Sequence, residues 1–75
     1  MNAKRRKKLG EVHQQLNFAI STLEDVIDDE QDSLDNTPEG LQESEAFGER
    51  EDALDELRDA LEEIKSSTET IQGML

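Results

Sequence analysis

Apolar residues in the first half of the chain recur in steps of three and four. They fall at Leu9, Val12, Leu16, Ala19, Ile20, Leu23, Val26, Ile27 and Leu34. Written as a heptad, Leu9, Leu16 and Leu23 are a positions, Val12, Ala19 and Val26 are d, and Ile20, Ile27 and Leu34 are e. A run with this period predicts an amphipathic helix rather than a strand. Asn2 suits the N-cap, so the helix is expected over about residues 3–35, roughly 50 Å long. Gly10 costs about 1 kcal/mol inside a helix and is expected to fray its first turns.

The pattern breaks at Asn36-Thr37-Pro38, which holds the only proline. A residue before proline is pushed out of the α region, so the first helix should end near Asp35 or Asn36. Thr37 as a cap with Pro38 in the first position predicts a short helical turn through Gln42. Ser44 then caps a second helix over about 45–72, with Glu45 in its first turn, where the helix dipole favours an acid. Gly48 weakens that start, and Gly73 is a natural stop. In this second stretch Phe47, Leu54 and Leu61 are a positions, continued by Thr68 and Leu75. Leu57, Ile64 and Ile71 are d, and Ala46, Ala53 and Ala60 are g.

Folding one helix back on the other pairs Leu34 with Phe47, Ile27 with Leu54, Leu23 with Leu57, Ile20 with Leu61, Leu16 with Ile64, and Leu9 with Ile71. The paired numbers sum to 80 or 81 throughout, as an antiparallel hairpin requires. The expected fold is therefore all-α, a single helical-hairpin domain over residues 1–75. Each helix carries a three-in-seven apolar stripe, wider than a two-helix seam needs. Two hairpins pairing into a four-helix bundle would use the excess, so a homodimer is expected. Phe18, at a c position off the seam, is expected to cover the edge of that dimer or to anchor a partner.

Size and composition sharpen this picture. Seventy-five residues make one small domain, and there is no cysteine to staple it. The longest apolar run is Phe18-Ala19-Ile20, far short of a membrane span. The basic start lacks the apolar core of a signal peptide. A soluble, cytoplasmic chain is expected. It holds 20 acidic and 8 basic residues, a net charge of −12. Five of the basics are Lys4-Arg5-Arg6-Lys7-Lys8. From Leu9 onward 20 acids stand against only Arg50, Arg58 and Lys65, a net of −17. Such a body repels nucleic acid and membranes and attracts basic protein surfaces.

Catalytic and metal chemistry find little support. His13 is the only histidine, and its sequence neighbours Glu11, Gln14 and Asn17 form no acid–base or nucleophilic constellation. No Gly-rich phosphate loop is present. Asp28, Glu30, Asp32, Leu34, Asn36 and Glu39 match the ligand spacing of a calcium loop, but Ser33 occupies the required glycine position and the segment continues a helical pattern. No enzyme activity, cofactor or metal is expected. The basic run is expected to lie beside the end of the second helix, complementing its dipole, Glu69 and the terminal carboxylate. An electrostatic arm for nucleic acid or a partner is the alternative.

The acidic faces are the remaining candidates for function. Acids three or four apart on a helix repel at roughly 0.2–0.5 kcal/mol per pair. Carboxylates four apart stand about 6 Å apart along the axis, comparable with successive phosphates on one strand. A rod of such charge suits a basic groove that otherwise holds DNA or RNA. Asp25, Asp28, Asp29 and Asp32 on the first helix and Asp52, Asp55, Glu56 and Asp59 on the second are the candidate partner-binding residues.

The central segment also carries a resemblance. Asp29-Glu30, then Asp35-Asn36-x-Pro38-Glu39-x-Leu41-Gln42-x-Ser44-Glu45, is similar to the central motif of small acidic helical proteins encoded by phages and integrated elements of Gram-positive bacteria. Those proteins also share a basic start and a second acidic helix with regularly spaced alanines and leucines. Gly40 and Gly48 depart from their pattern. The resemblance covers most of the chain and implies a mobile-element origin and a helical hairpin rather than an activity. Proteins of that kind often inhibit host proteins. The expected function is thus a non-enzymatic inhibitor or modulator that binds a basic, nucleic-acid-binding surface on a host defence or transcription protein. An assembly adaptor built on a helical bundle is the alternative.

Overall fold

A computed structural model describes residues 1–75. Two long helices account for most of the chain: α1 (Ala3–Asp35) and α2 (Glu45–Gln72). A single 3₁₀ turn, Glu39–Leu41, lies in the link between them. The helices fold back on one another into an antiparallel hairpin, a rod of 59 × 15 × 14 Å.

The caps explain where each helix begins. Asn2 Oδ1 accepts from the Arg5 backbone N–H at 2.8 Å, satisfying one of the free amides at the start of α1. Ser44 Oγ does the same for Phe47 N–H at 3.1 Å and also donates to Leu41 O at 2.7 Å, tying the start of α2 to the link. At the end of α1, Asn36 donates from both its backbone N–H and its side-chain amide to Asp32 O. Thr37, expected as a cap for the short turn, instead donates its hydroxyl back to Ser33 O at 3.0 Å. Pro38 takes the cap position without a side-chain hydrogen bond, and Leu41 N–H donates to Pro38 O. An extended proline leaves the hydroxyl before it nearer to the last turn of α1 than to the amides ahead. Neither glycine interrupts its helix. α1 runs unbroken through Gly10, and α2 runs unbroken through Gly48.

Five apolar side chains form the core: Ile20, Ile27 and Leu34 of α1 with Leu54 and Leu61 of α2. Leu23, Phe47, Leu57 and Ile64 are half-buried against it. Both members of four of the expected pairs therefore fall in one cluster. Leu9, Leu16 and Ile71 are half-buried beyond it. Thr68 continues the buried a column of α2, and its hydroxyl donates to Ile64 O at 2.7 Å, so no polar atom is stranded. The Glu30–Arg50 ion pair crosses the seam with the same sum of residue numbers as the apolar pairs.

The seam selects among the three apolar columns of α1. It uses e and a, burying Ile20, Ile27 and Leu34 and half-burying Leu16 and Leu23. The d column is left outside: Val12 is 42% exposed, Val26 is 50% exposed, and Ala19 is exposed between them. On α2 the a and d columns face inward, while Ala46 and Ala53 of the g column are exposed.

Two stability outcomes follow. Leu54 is 2% exposed at the centre of the cluster, so Leu54→Ala should cost about 2–4 kcal/mol, read as a lower urea midpoint in circular dichroism. Gly48 lies inside α2 with nothing within 4 Å of an added Cβ, so Gly48→Ala should raise stability by about 0.5–1 kcal/mol in the same measurement.

Candidate partner-binding surface

A hairpin has two broad sides, and the seam decides what each one shows. One side carries the columns next to the buried e column of α1 and the buried a column of α2. Here Glu24, Asp28, Arg58, Asp59 and Glu62 line one stretch of groove over Ile27 and Leu61. Toward the link, Gln31, Asp35, Glu51, Asp55 and Arg58 continue it over Leu34 and Leu54. Away from the link, His13, Asn17, Lys65, Thr68, Glu69 and Gln72 line it over Ile20. This side is polar along its whole length and acidic from Glu24 and Glu62 to the link.

Only two cations serve it. Lys65 Nζ lies 3.4 Å from Glu24 Oε2, and Arg58 Nη2 donates to Gln31 Oε1 at 2.9 Å. The third body cation, Arg50, reaches around the seam to Glu30 and donates to Ser33 Oγ at 2.9 Å. These are screened, partly exposed contacts, each worth at most about 1 kcal/mol. Their role is to relieve crowding among carboxylates rather than to hold the helices together.

The candidate acids are dispersed over the rod. Asp28, Asp55 and Asp59 share the polar side. By helical periodicity Asp25, Asp29 and Asp32 stand on the outer flank of α1, and Asp52 and Glu56 on the outer flank of α2; all five are exposed. The groove also recruits Glu24, Asp35, Glu51 and Glu62, acids of the same two helix faces that were not among the eight candidates. That they share one groove shows only when the two heptads are laid in register and the columns beside the seam are read together. Phe18 is 76% exposed beside Glu11, Gln14 and Gln15 on the outer flank of α1, away from both broad sides.

The second broad side is apolar. It carries the half-buried Leu9, Leu16, Leu23, Leu57 and Ile64, flanked by exposed Val12, Ala19, Val26 and Ala53. The Glu30–Arg50 pair closes it toward the link.

Lys4–Lys8 lie beside the end of α2, as the register requires, but without the expected ion pairs. α2 ends at Gln72, opposite Leu9, and only the closing turn Gly73–Leu75 runs alongside the overhanging first turns of α1. All five basic side chains are exposed, and none forms an ion pair with Glu69 or the terminal carboxylate. α1 is in fact charged against its own dipole. Its first turn has no acid and its last turn has no base, an arrangement that costs rather than stabilises.

Of its sequence neighbours, His13 meets Asn17, whose Nδ2 lies 3.4 Å from its Nδ1. Lys65, Thr68 and Glu69, which its sequence context did not reveal, line the same stretch of groove from α2. Asp28, Glu30, Asp32 and Leu34, which match the calcium-loop spacing, lie within α1 and follow its helical path rather than a loop. No helix is long and apolar enough to cross a membrane.

Arg58 sits among Asp28, Asp35, Asp55 and Glu62, so its removal should be felt electrostatically. Arg58→Gln should lower stability by about 0.5–1 kcal/mol in low-salt buffer, and most of that loss should vanish in 0.5 M salt, where screening is about 4 Å long. Paired urea titrations of both proteins at the two salt concentrations check it. No protein-family model matches the chain, and neither a curated protein nor a solved structure matches it significantly.

Proposed function

We propose that the chain is a non-enzymatic interaction protein whose acidic side docks onto a basic, nucleic-acid-binding surface of a host protein. The reading rests on the continuity of that side. Carboxylates of both helices converge along one groove, from Glu69 through Glu62 and Asp59 to Asp55 and Glu51, with Glu24, Asp28 and Asp35 across it. Two cations offset them. Helix geometry repeats the charges at about 6 Å along a straight rod, which is what a groove built for a sugar–phosphate strand is shaped to hold.

Stability alone gives little reason for this arrangement. Like charges on adjacent helix positions are unfavourable, and a surface made only for solubility would intersperse the two signs. The resemblance to small phage and integrated-element proteins supports a host protein as the target, a defence or transcription factor that handles nucleic acid. Binding of this kind is fast, steered by long-range attraction, and sensitive to salt.

A second reading, an assembly adaptor held by apolar contacts, draws support from the other broad side with its exposed Val12, Ala19 and Val26. Salt distinguishes the two, because apolar association does not weaken as ionic strength rises.

The test uses tagged protein and a Gram-positive host lysate. A nucleic-acid-binding protein should be retained at low salt and released at high salt. The triple reversal Asp28→Lys, Asp55→Lys and Asp59→Lys should abolish that retention while helicity stays unchanged by circular dichroism. Retention that survives the reversal, or survives high salt, would overturn the electrostatic reading.

A further inference from the structure

We propose that the apolar broad side is covered by a second copy of this chain, packed face to face with its link at the opposite end of the bundle. Only six of the 75 residues are buried in the hairpin, a thin core for an independent fold. The side left open is continuous with that core, since Leu23, Leu57 and Ile64 belong to both.

Two face-to-face arrangements with two-fold symmetry exist. In one, both links lie at the same end and α1 stacks on α2 of the second copy. In the other, the links lie at opposite ends and each helix stacks on its own counterpart. Charge separates them. Five cations sit on the overhang at one end of the rod, and the acids crowd the body toward the link. With the links together, ten cations would meet at one end and both acidic links at the other. With the links apart, each basic overhang lies along the acidic half of the other copy.

The apolar pattern sets the register. Stacking α1 on α1 of the second copy about a two-fold axis between Asn17 and Phe18 brings Leu9 to Val26, Val12 to Leu23 and Leu16 to Ala19. On α2 the same axis brings Ile64 to Ile64 of the second copy and Leu57 to Ile71. The d column of α1, which the hairpin leaves outside, finds its place. Residues 4–8 then run beside residues 27–31 of the second copy. Arg5 and Lys8, which by periodicity border the apolar side, lie against the edge carrying Asp25 and Asp29.

The area agrees. From Leu9 to Val26 the strip is about 27 Å long and two helices, or about 20 Å, wide. That footprint of roughly 540 Å² per copy falls short of the ~800 Å² per partner of a stable interface. Extending the overlap over the charged flanks, residues 4–8 against 27–31, adds strips one helix wide and brings it to about 700 Å², within the range of standard interfaces. The overhang is therefore part of the interface and not an appendage to it. The acidic groove faces away from this interface and stays open.

Sedimentation and light scattering on the purified chain at about 100 µM should give twice 8.5 kDa. Val12→Glu with Val26→Glu, both at exposed positions outside the hairpin's own core, should return the single-chain mass with helicity retained. Arg5→Glu with Lys8→Glu should weaken association at least tenfold, and adding Asp25→Lys and Asp29→Lys to that variant should restore it. The chain has no cysteine, and Gly40 has open space around an added side chain, so Gly40→Cys gives one clean labelling point. Labels should lie about 60 Å apart with the links at opposite ends, against about 20 Å with the links together. A native single-chain mass, association that survives the valine changes, labels close together, or a charge swap that fails to restore association would each overturn the proposal.

Discussion

The seam between α1 and α2 is the constraint on which the rest of the molecule depends. Ile20, Ile27 and Leu34 lock against Leu54 and Leu61, with Thr68 filling the last layer. Because a side chain's place on a helix is fixed by its residue number, fixing these six fixes the direction of every other side chain. The acids beside the buried columns are forced onto one broad side and the spare apolar column onto the other. A one-position slip along either helix would mix the two sides. Thus the separation of charge from apolar surface is a property of the register, not of either helix alone.

That register holds against appreciable electrostatic opposition. The body from Leu9 onward carries a net −17, and α1 places cations at its positive pole and acids at its negative one. Each such mismatch is small, a few tenths of a kcal/mol to about 1, but they all act in the same direction. The apolar layers and the two caps at Asn2 and Ser44 must outweigh them. The proposed docking onto a basic surface would put these charges, unfavourable within the hairpin, to use.

Much of this was legible in the sequence because the signals are local or periodic. Asn2, Pro38 and Ser44 mark the helix ends through hydrogen bonds within three or four residues. The constant sum of paired positions gives the antiparallel register from spacing alone. The inward columns of α1 were legible in the same way: the six expected pairs draw only on its a and e residues, which are the ones the hairpin buries or half-buries. A stripe of a, d and e is equally apolar on α1 taken alone, and only the constant sum with α2 decides for a and e. The missing ion pairs of Lys4–Lys8 were not legible, because helix register places these residues near the end of α2 but does not decide whether an exposed, flexible side chain closes on an acid. The groove acids Glu24, Glu51 and Glu62 are plain as acids on each helix, but their grouping appears only across the seam.

The layers are not equally tight. Exposure along the buried column of α1 rises from 3% at Leu34 through 4% at Ile27 to 9% at Ile20, while on α2 it goes from 2% at Leu54 to 8% at Leu61 and back to 4% at Thr68. The two least exposed side chains, Leu54 and Leu34, lie toward the link, where a loop of about a dozen residues between Leu34 and Phe47 closes in tens of nanoseconds at small entropic cost. Each later layer closes only the few residues beyond the previous one. Loop entropy therefore favours closing the layers in order from the link outward. The first-turn amides of α1, which cover no buried layer, should exchange with solvent before those around Leu54.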